Sequence, residues 1–201
     1  MPTIERKFIG RCVQESDINE HMLTLFKYAS KCSHITEAGV RGAVSSYAFA
    51  AGLLGTPNNK LVMIDIHSND SVASFRAECD AEGVNTVFYE QSDLDCPMEP
   101  TDLLFIDTWH VYGQLKRELA RWHPYAKTYI IMHDTTIDEY VGESCRYNMD
   151  ATKQSEASGI PVLEIKMGLW PAIVEFLSNH PEWVLEKRYT NNNGLTILKR
   201  V

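Results

Sequence analysis

The chain has 201 residues, 44% of them hydrophobic and 23% charged, and its formal net charge is −8 at pH 7. This is the composition of an ordinary globular protein long enough for one substantial core, so we predict a single domain over residues 1–201. The acidic balance and the absence of a basic run argue against nucleic acid as a partner. No stretch approaches the roughly 18 apolar residues of a membrane span.

The five cysteines are scattered through the sequence and include no CxxC pair. This pattern is typical of reduced thiols rather than of a disulfide framework or a zinc site. The N-terminus also lacks the apolar core of a signal peptide. We therefore expect a cytoplasmic protein.

The first third of the chain predicts a helical extension followed by alternating strands and helices. Residues 1–33 read as an extended piece and then a helix over 17–32, with Ser16 as its N-cap. The next elements are a strand at 34–38, a helix at 45–54, a strand at 60–66, a helix at 71–82 and a strand at 85–89.

The second half continues this alternation and ends in a hairpin. Short apolar runs at 103–106 and 129–132 predict buried parallel strands, joined by an amphipathic helix over 111–122. The polar segment 138–160 predicts a lid or a substrate-facing insertion, followed by a short edge strand at 162–165 and a helix at 171–178. Strands at 183–189 and 195–198 flank an Asn-Gly turn.

These elements predict an α/β fold with a parallel sheet, helices on both faces and an antiparallel C-terminal hairpin at the edge. Ligands of such sheets bind at the carboxyl ends of the strands. The two central strands break off there into Asp107 and His110 and into His133 and Asp134. We expect these four side chains to meet at one rim.

The turn after the first strand carries Glu37, Gly39 and Gly42 but not the full G-x-G-x-x-G fingerprint of dinucleotide sites. An acidic residue beside a pyrophosphate would be repulsive, so a ligand without a diphosphate fits better. Asp65 ends the next strand, where a carboxylate can accept both hydroxyls of a ribose. The pattern therefore favours a nucleoside-type cofactor.

The runs TEAGVRGAVSSYAF, VMIDI, LLFIDTWHVY and IIMHDT together resemble the class I S-adenosylmethionine-dependent methyltransferases, which have a Rossmann-like fold. More narrowly, they resemble the sugar (rhamnosyl) O-methyltransferases, the cephalosporin-hydroxylase-like group and a methyltransferase domain of chlorovirus glycan-building proteins. The resemblance covers residues 35–136. It implies methyl transfer from S-adenosylmethionine to a hydroxyl of a small-molecule or glycan acceptor.

The resemblance also implies roles for individual residues. Glu37, Gly39 and Gly42 would line the methionine part of the cofactor, Asp65 would hold its ribose, and Ser92 and Asp93 would lie beside its adenine. A divalent Mg²⁺ or Mn²⁺ ion would be held by Asp107, His133 and Asp134, although His133 stands where an acid is usual in these enzymes. His110 would be the general base.

Structural interpretations of the same residues stay open. Asp107 suits a helix cap, Asp134 a turn, and His110 a backbone hydrogen bond at a helix start. His133 suits a base or a structural histidine as well as a metal ligand. At the level of function, three alternatives share the predicted sheet: an NAD-linked oxidoreductase, a metal-dependent hydrolase that uses the Asp/His rim, and a non-catalytic nucleoside-binding module.

Overall fold

The computed structural model describes all 201 residues and contains one seven-stranded sheet. The strands are β1 (His34–Ala38), β2 (Lys60–Asp65), β3 (Thr86–Glu90), β4 (Thr101–Ile106), β5 (Ala126–His133), β6 (Trp183–Tyr189) and β7 (Leu195–Arg200). Their order across the sheet is β3-β2-β1-β4-β5-β7-β6. Strands β1 to β5 run parallel and β7 runs antiparallel to both neighbours, which confirms the predicted fold class.

Nine α-helices and one 3-10 turn cover the sheet. The helices are α1 (Thr3–Val13), α2 (Met22–Ala29), α3 (Val44–Leu53), α4 (Asp70–Ala81), α5 (Tyr112–Trp122), α6 (Glu143–Arg146), α7 (Ala151–Ser158), α8 (Val162–Lys166) and α9 (Leu169–Asn179). None of them combines the length and apolarity needed to cross a lipid bilayer. All five cysteines are free thiols.

The central strands separate two apolar cores because successive side chains of a strand point to opposite faces. In β4, Leu103 and Phe105 join the core formed with α1 to α4. Leu104 and Ile106 join the core formed with α5 and α9. Burial of both faces explains why these strands are continuous apolar runs rather than alternating patterns.

The N-terminal extension differs from the prediction. Residues 3–13 form α1 instead of an extended piece, because Ile4 and Phe8 lie one helical turn apart and are buried in the core. The predicted helix at 17–32 is shorter and is preceded by the separate 3-10 turn Asn19–His21. Ser16 does not cap it; the Ser16 hydroxyl accepts the N–H of Ile18 at 3.4 Å within the turn.

The segment 138–160 is a folded layer rather than an irregular loop. It contains α6 and α7 and contributes Ala151 and Ile160 to a small core with Val111 and Ile165. The predicted strand at 162–165 is wrong, since these residues form α8. Ile165 is the one buried residue of α8, so this helix lies on the surface. Strands β3 and β6 occupy the two edges of the sheet.

The chain direction across the sheet reverses between β1 and β4, which are hydrogen-bonded neighbours. From β1 the chain continues outward through β2 and β3, and it returns through β4 to the other side. Such a reversal leaves a crevice at the carboxyl ends of the two strands, because the connecting segments diverge there. The acids and histidines that follow β4 and β5 are thereby placed beside the turn that follows β1.

Candidate active site

A cavity of about 510 Å³ opens at the carboxyl ends of the parallel strands. Eight of the ten predicted site residues line it, namely Gly39, Gly42, Asp65, Ser92, Asp93, Asp107, His110 and Asp134. Glu37 and His133 lie behind its wall, where they are buried. Most of the residues predicted from the sequence pattern therefore lie around this one cavity.

Gly39 allows the first turn of the site to pack against β4. Its φ is +85°, and a Cβ atom built on it would lie 1.9 Å from the backbone oxygen of Asp107. The N–H of Asp107 in turn donates to the carbonyl of Ala38 at 2.8 Å. Gly42 has open space beside it and forms part of the cavity wall. The two glycines thus have different roles.

Asp65 fixes the same turn from the end of β2. Its Oδ2 accepts the N–H groups of Val40 and Arg41 at 2.9 and 2.8 Å, and its Oδ1 accepts the N–H of His67 at 3.1 Å. A carboxylate offers roughly four acceptor positions, so one remains on Oδ1. Asp65 lines the cavity as predicted, but in this arrangement it can receive one hydroxyl rather than two.

Glu37 does not line the cavity, contrary to the prediction. Its carboxyl group is fully buried beneath α3, where the hydroxyls of Ser45 and Ser46 donate to it at 2.5 and 2.6 Å. Burial raises the pKa of Glu37 to about 8, although the two serine hydroxyls oppose the shift. Glu37 therefore positions the start of α3 and presents no carboxylate to a ligand.

Ser92 and Asp93 follow β3 at the other end of the cavity. Asp93 is buried against Glu118 of α5, and the side-chain amide of Gln114 donates to Glu118 at 2.8 Å and to Asp93 at 3.3 Å. Burial raises the pKa of Glu118 well above its ordinary value, and the nearby charge of Asp93 adds to the effect. Burial raises the pKa of Asp93 as well, so the pair favours a shared proton over two charges.

Asp107, His133 and Asp134 form a compact cluster after β4 and β5. His133 Nδ1 lies 3.4 Å from Asp107 Oδ1 and 3.6 Å from Asp134 Oδ1. Burial alone would raise the pKa of Asp107, but the facing charge of His133 and the hydrogen bond with His110 outweigh it and lower that pKa below its usual range. The backbone of Asp134 has a φ of +56°, a left-handed conformation that directs its carboxylate into the cavity wall.

The C-terminal hairpin orients His133. Its Nε2 lies 3.2 Å from the carbonyl oxygen of Asn192 in the β6–β7 turn, so this nitrogen carries the hydrogen and Nδ1 faces the two aspartates. Burial lowers the pKa of an imidazole, but the facing charge of Asp107 prevails and raises the pKa of His133 to about 9. The hairpin turn is therefore part of the site.

His110 is surrounded by four carboxylates. Its Nε2 lies 3.1 Å from both Asp107 and Asp134, and its Nδ1 lies 3.4 Å from Asp138 and 3.0 Å from Glu143. Burial opposes protonation of the ring, yet the contacts with Asp107, Asp138 and Glu143 raise the pKa of His110 well above its ordinary value. The surrounding carboxylates therefore favour the protonated form of this ring.

Asp138 and Glu143 are functional candidates that the sequence reasoning did not name. Both lie in the segment 138–160, which was predicted to face a substrate, but no spacing rule connects them to His110. Asp138 is fully buried and also accepts two hydrogen bonds from the guanidinium of Arg146, each at 2.8 Å. Its burial is a property of the folded chain, so no signal in the sequence identifies it.

The cluster of Asp107, His133 and Asp134 fits a divalent cation. One ligand atom from each residue lies within 4.8 Å of the others. His133 Nδ1 and Asp134 Oδ1 are buried and have no hydrogen-bond partner. The Nε2 of His133 meets a backbone carbonyl, as is usual for a histidine that ligates a metal. Two carboxylates and one imidazole suit Mn²⁺ better than Mg²⁺, which prefers oxygen ligands alone.

No protein family model matches the sequence, and no curated protein matches it. Solved structures match over nearly the whole chain. The O-methyltransferase TomG of Streptomyces achromogenes, solved with S-adenosylmethionine, superimposes with a TM-score of 0.64 at 14% identity and covers 100% of this chain and 91% of its own.

The O-methyltransferase of Bacillus cereus, solved with S-adenosylhomocysteine, gives a TM-score of 0.62 at 14% identity, covering 99% of this chain and 90% of that one. A protein of Corynebacterium glutamicum gives a TM-score of 0.65 at 13% identity, covering 100% of this chain and 91% of that one. The chain therefore has the class I methyltransferase fold, as the sequence motifs predicted.

Proposed function

We propose that the protein is an S-adenosylmethionine-dependent O-methyltransferase whose acceptor is a hydroxyl of a sugar or glycan, as in the rhamnosyl O-methyltransferases that its motifs resemble. One observation carries the proposal. A single cavity joins the nucleoside-type end, with Asp65 and Asp93, to the acid and histidine cluster around Asp107. Donor and acceptor can therefore meet in one continuous cavity.

The donor would lie along the carboxyl ends of β1 to β3. The turn from Gly39 to Gly42 brings backbone close to the methionine part, and the free position on Asp65 Oδ1 can accept a ribose hydroxyl. Ser92 and Asp93 form the wall where the adenine would lie. The sulfonium carries a positive charge, which the acidic lining favours.

The charges of the cavity support a neutral polyol as the acceptor. Arg41 is the one lysine or arginine among the lining residues, and its guanidinium donates to Asp17 at 2.7 Å. The acidic side chains in the lining are Asp17, Asp65, Asp93, Asp107, Asp134 and Glu143. A phosphorylated or otherwise anionic acceptor would be repelled by this surface, whereas a sugar hydroxyl would find many hydrogen-bond acceptors.

Asp107, His133 and Asp134 would hold a divalent cation beside the acceptor. When bound, it would lower the pKa of a coordinated hydroxyl and offset the carboxylate charge that holds the proton on His110. His110 lies in the cavity wall within 3.1 Å of Asp107, which places it to take the hydroxyl proton. Asp138 and Glu143 fix the other side of its ring.

The experiment that tests the proposal combines binding and turnover. Calorimetric titration with S-adenosylhomocysteine is expected to show micromolar binding, on the order of −8 kcal/mol, in the parent and in the control Asp80→Ala, an exposed site on α4. Asp65→Ala should weaken binding by about tenfold or more, since it loses both the ribose contact and the support of the Val40–Arg41 turn.

Turnover is then measured with S-adenosylmethionine and a panel of rhamnosides and other sugars, with Mn²⁺, Mg²⁺ or EDTA. Methyl transfer that needs the cation supports the whole proposal. Donor binding without transfer to any acceptor would contradict the enzymatic part. Absence of donor binding in the parent would overturn the proposal and direct attention to hydrolysis by the Asp/His rim.

A further inference from the structure

A second cluster of ligand-type side chains lies on the side of the sheet opposite the cavity, where strands β5 and β6 begin. His123 follows α5 and precedes β5, whereas His180 and Glu182 lie between α9 and β6. One ligand atom from each of the three residues lies within 4.8 Å of the others. Because the strands enter the sheet here and the cavity lies at their carboxyl ends, this cluster takes no part in the proposed methyl transfer.

The spacing of the three residues suits a bound metal ion. Glu182 Oε1 lies 3.1 Å from His180 Nδ1 and 3.9 Å from His123 Nδ1. Tetrahedral zinc with bonds of about 2.0–2.1 Å places its ligand atoms roughly 3.3 Å apart. The observed distances lie on either side of this value, so small side-chain movements would bring the atoms to it.

His123 supplies an independent sign of a missing partner. Its Nδ1 is buried and makes no hydrogen bond, since Glu182 is too far away. Buried ring nitrogens are normally paired, because a buried polar atom without a partner loses its hydrogen bonds to water and gains none in return. An ion between the two residues would satisfy this nitrogen and the carboxylate together.

The surrounding residues hold the two imidazoles in place, and two helix ends provide an electrostatic field that favours a cation. The ring of Phe176 stacks on His180 with centroids 4.6 Å apart and meets His123 edge-on at 5.5 Å. His123 and His180 are the C-terminal caps of two 11-residue helices, α5 and α9. Helix C-termini carry partial negative charge, and two of them converge on the cluster.

One cation, Arg200, lies close enough to act on His123. Arg200 acts on His123 with an unfavourable charge, but its guanidinium donates to the carbonyl of Ala126 at 3.1 Å and lies over the ring of Trp183. These contacts occupy the guanidinium. The carboxylate of Glu182 and the two helix ends oppose its effect.

We propose that His123, His180 and Glu182 form a binding site for a divalent transition-metal ion of the zinc type. Two imidazoles and one carboxylate match the ligands that zinc accepts and differ from the oxygen ligands that Mg²⁺ prefers. The ion joins the ends of α5 and α9 to the start of β6. Its role is structural, since it connects the C-terminal hairpin to the helices of one face.

The test is calorimetric titration with Zn²⁺ in excess Mg²⁺, using the background variant Asp107→Asn/Asp134→Asn to weaken zinc binding at the active-site cluster. We expect one Zn²⁺ per chain, a raised unfolding temperature, and an affinity that falls by about a hundredfold in His123→Gln and His180→Gln, since each loses a direct ligand. The control His67→Ala, an exposed histidine outside the cluster, should bind as the background does.

Unfolding in EDTA separates loss of a ligand from loss of the fold. The variants should unfold at the temperature of the background when no metal is present. Should a histidine variant fail this check, Glu182→Gln, whose side chain is 35% exposed, replaces it. Zinc affinity that is the same in the background and in the ligand variants, or absence of zinc binding to the background, would overturn the proposal.

Discussion

Asp138 Oδ2 lies 3.4 Å from Nδ1 of His110 while the same carboxylate receives two 2.8 Å hydrogen bonds from Arg146. Asp138 is fully buried, so the guanidinium and the imidazole together compensate its charge. The arrangement links the segment 138–160 to the centre of the candidate site. It gives this segment a specific role, which is to hold the ring of His110 between Asp138 and the acids after β4 and β5.

Replacing Asp138 with asparagine should impair turnover more than donor binding. The amide cannot satisfy both Arg146 and His110, so the ring loses part of its orientation, and we expect kcat to fall by about 10–100-fold. Removing one carboxylate also lowers the pKa of His110, so the acidic limb of the pH–rate profile should move to lower pH. Steady-state kinetics across pH measures both effects.

The matched control for this change is Asp150→Asn in the same segment. Asp150 is exposed and caps α7 by accepting the N–H groups of Thr152 and Lys153. Asparagine caps a helix equally well, so stability and kcat should both stay at the parent values. An unchanged pH profile in Asp138→Asn would show that Asp138 does not act through His110.

Asp107→Asn and Asp134→Asn are expected to separate binding of the donor from transfer. Both residues lie at the acceptor end of the cavity, so affinity for S-adenosylhomocysteine should stay near the parent value while transfer falls by about 100-fold or more. Asparagine is the right replacement at 134, because it tolerates the left-handed backbone there and alanine would add strain. Transfer at the parent rate in both variants would show that the assignment of these residues is wrong.

The elements of the sheet could be predicted from sequence because their determinants are local. Short apolar runs that end in acids identify β2, β4 and β5, and the Asn-Gly turn identifies the hairpin. The predictions that failed concern elements whose structure depends on contacts between residues distant in sequence. The run at 162–165 has strand-like composition, but β6 already holds the sheet edge, and α1 is tied to the core through Ile4 and Phe8.

The same distinction applies to the site. Most of the predicted residues at strand ends line one cavity because the carboxyl ends of parallel strands lie on the same side of the sheet. The contact of Asn192 with His133 joins residues 59 positions apart, and the burial of Glu37 depends on how α3 lies over β1. No periodicity or spacing in the sequence encodes either relationship. Both follow from the packing of whole elements.

Gly39→Ala should destabilise the fold strongly. The added Cβ would meet the backbone oxygen of Asp107 at 1.9 Å, and the φ of +85° is unfavourable for alanine, so we expect a loss of about 3 kcal/mol or more in the free energy of unfolding. Gly42→Ala is the matched control, since nothing lies within 4 Å of its added Cβ. Denaturant unfolding of both variants measures the difference, and equal stabilities would contradict this view of Gly39.

Glu37 should make the stability of the protein depend on pH above the range usual for a carboxylic acid. Its pKa is about 8 in the folded chain against an ordinary value of 4.5, so the folded state retains a proton that the unfolded state releases. The corresponding stabilisation is complete below pH 4.5 and is lost as the pH rises through 8. The loss is on the order of 5 kcal/mol, since a pKa difference of one corresponds to roughly 1.4 kcal/mol.

The variant Glu37→Gln lacks this titration and keeps an acceptor for the hydroxyls of Ser45 and Ser46. Measured by denaturant unfolding between pH 5 and 9, the parent should lose stability relative to Glu37→Gln as the pH rises, whereas Glu5→Gln, an exposed charge change on α1, should follow the parent. Parallel curves for the parent and Glu37→Gln would mean that Glu37 is ionised in the folded chain, and the serine hydroxyls would then be stabilising a buried carboxylate rather than a protonated acid.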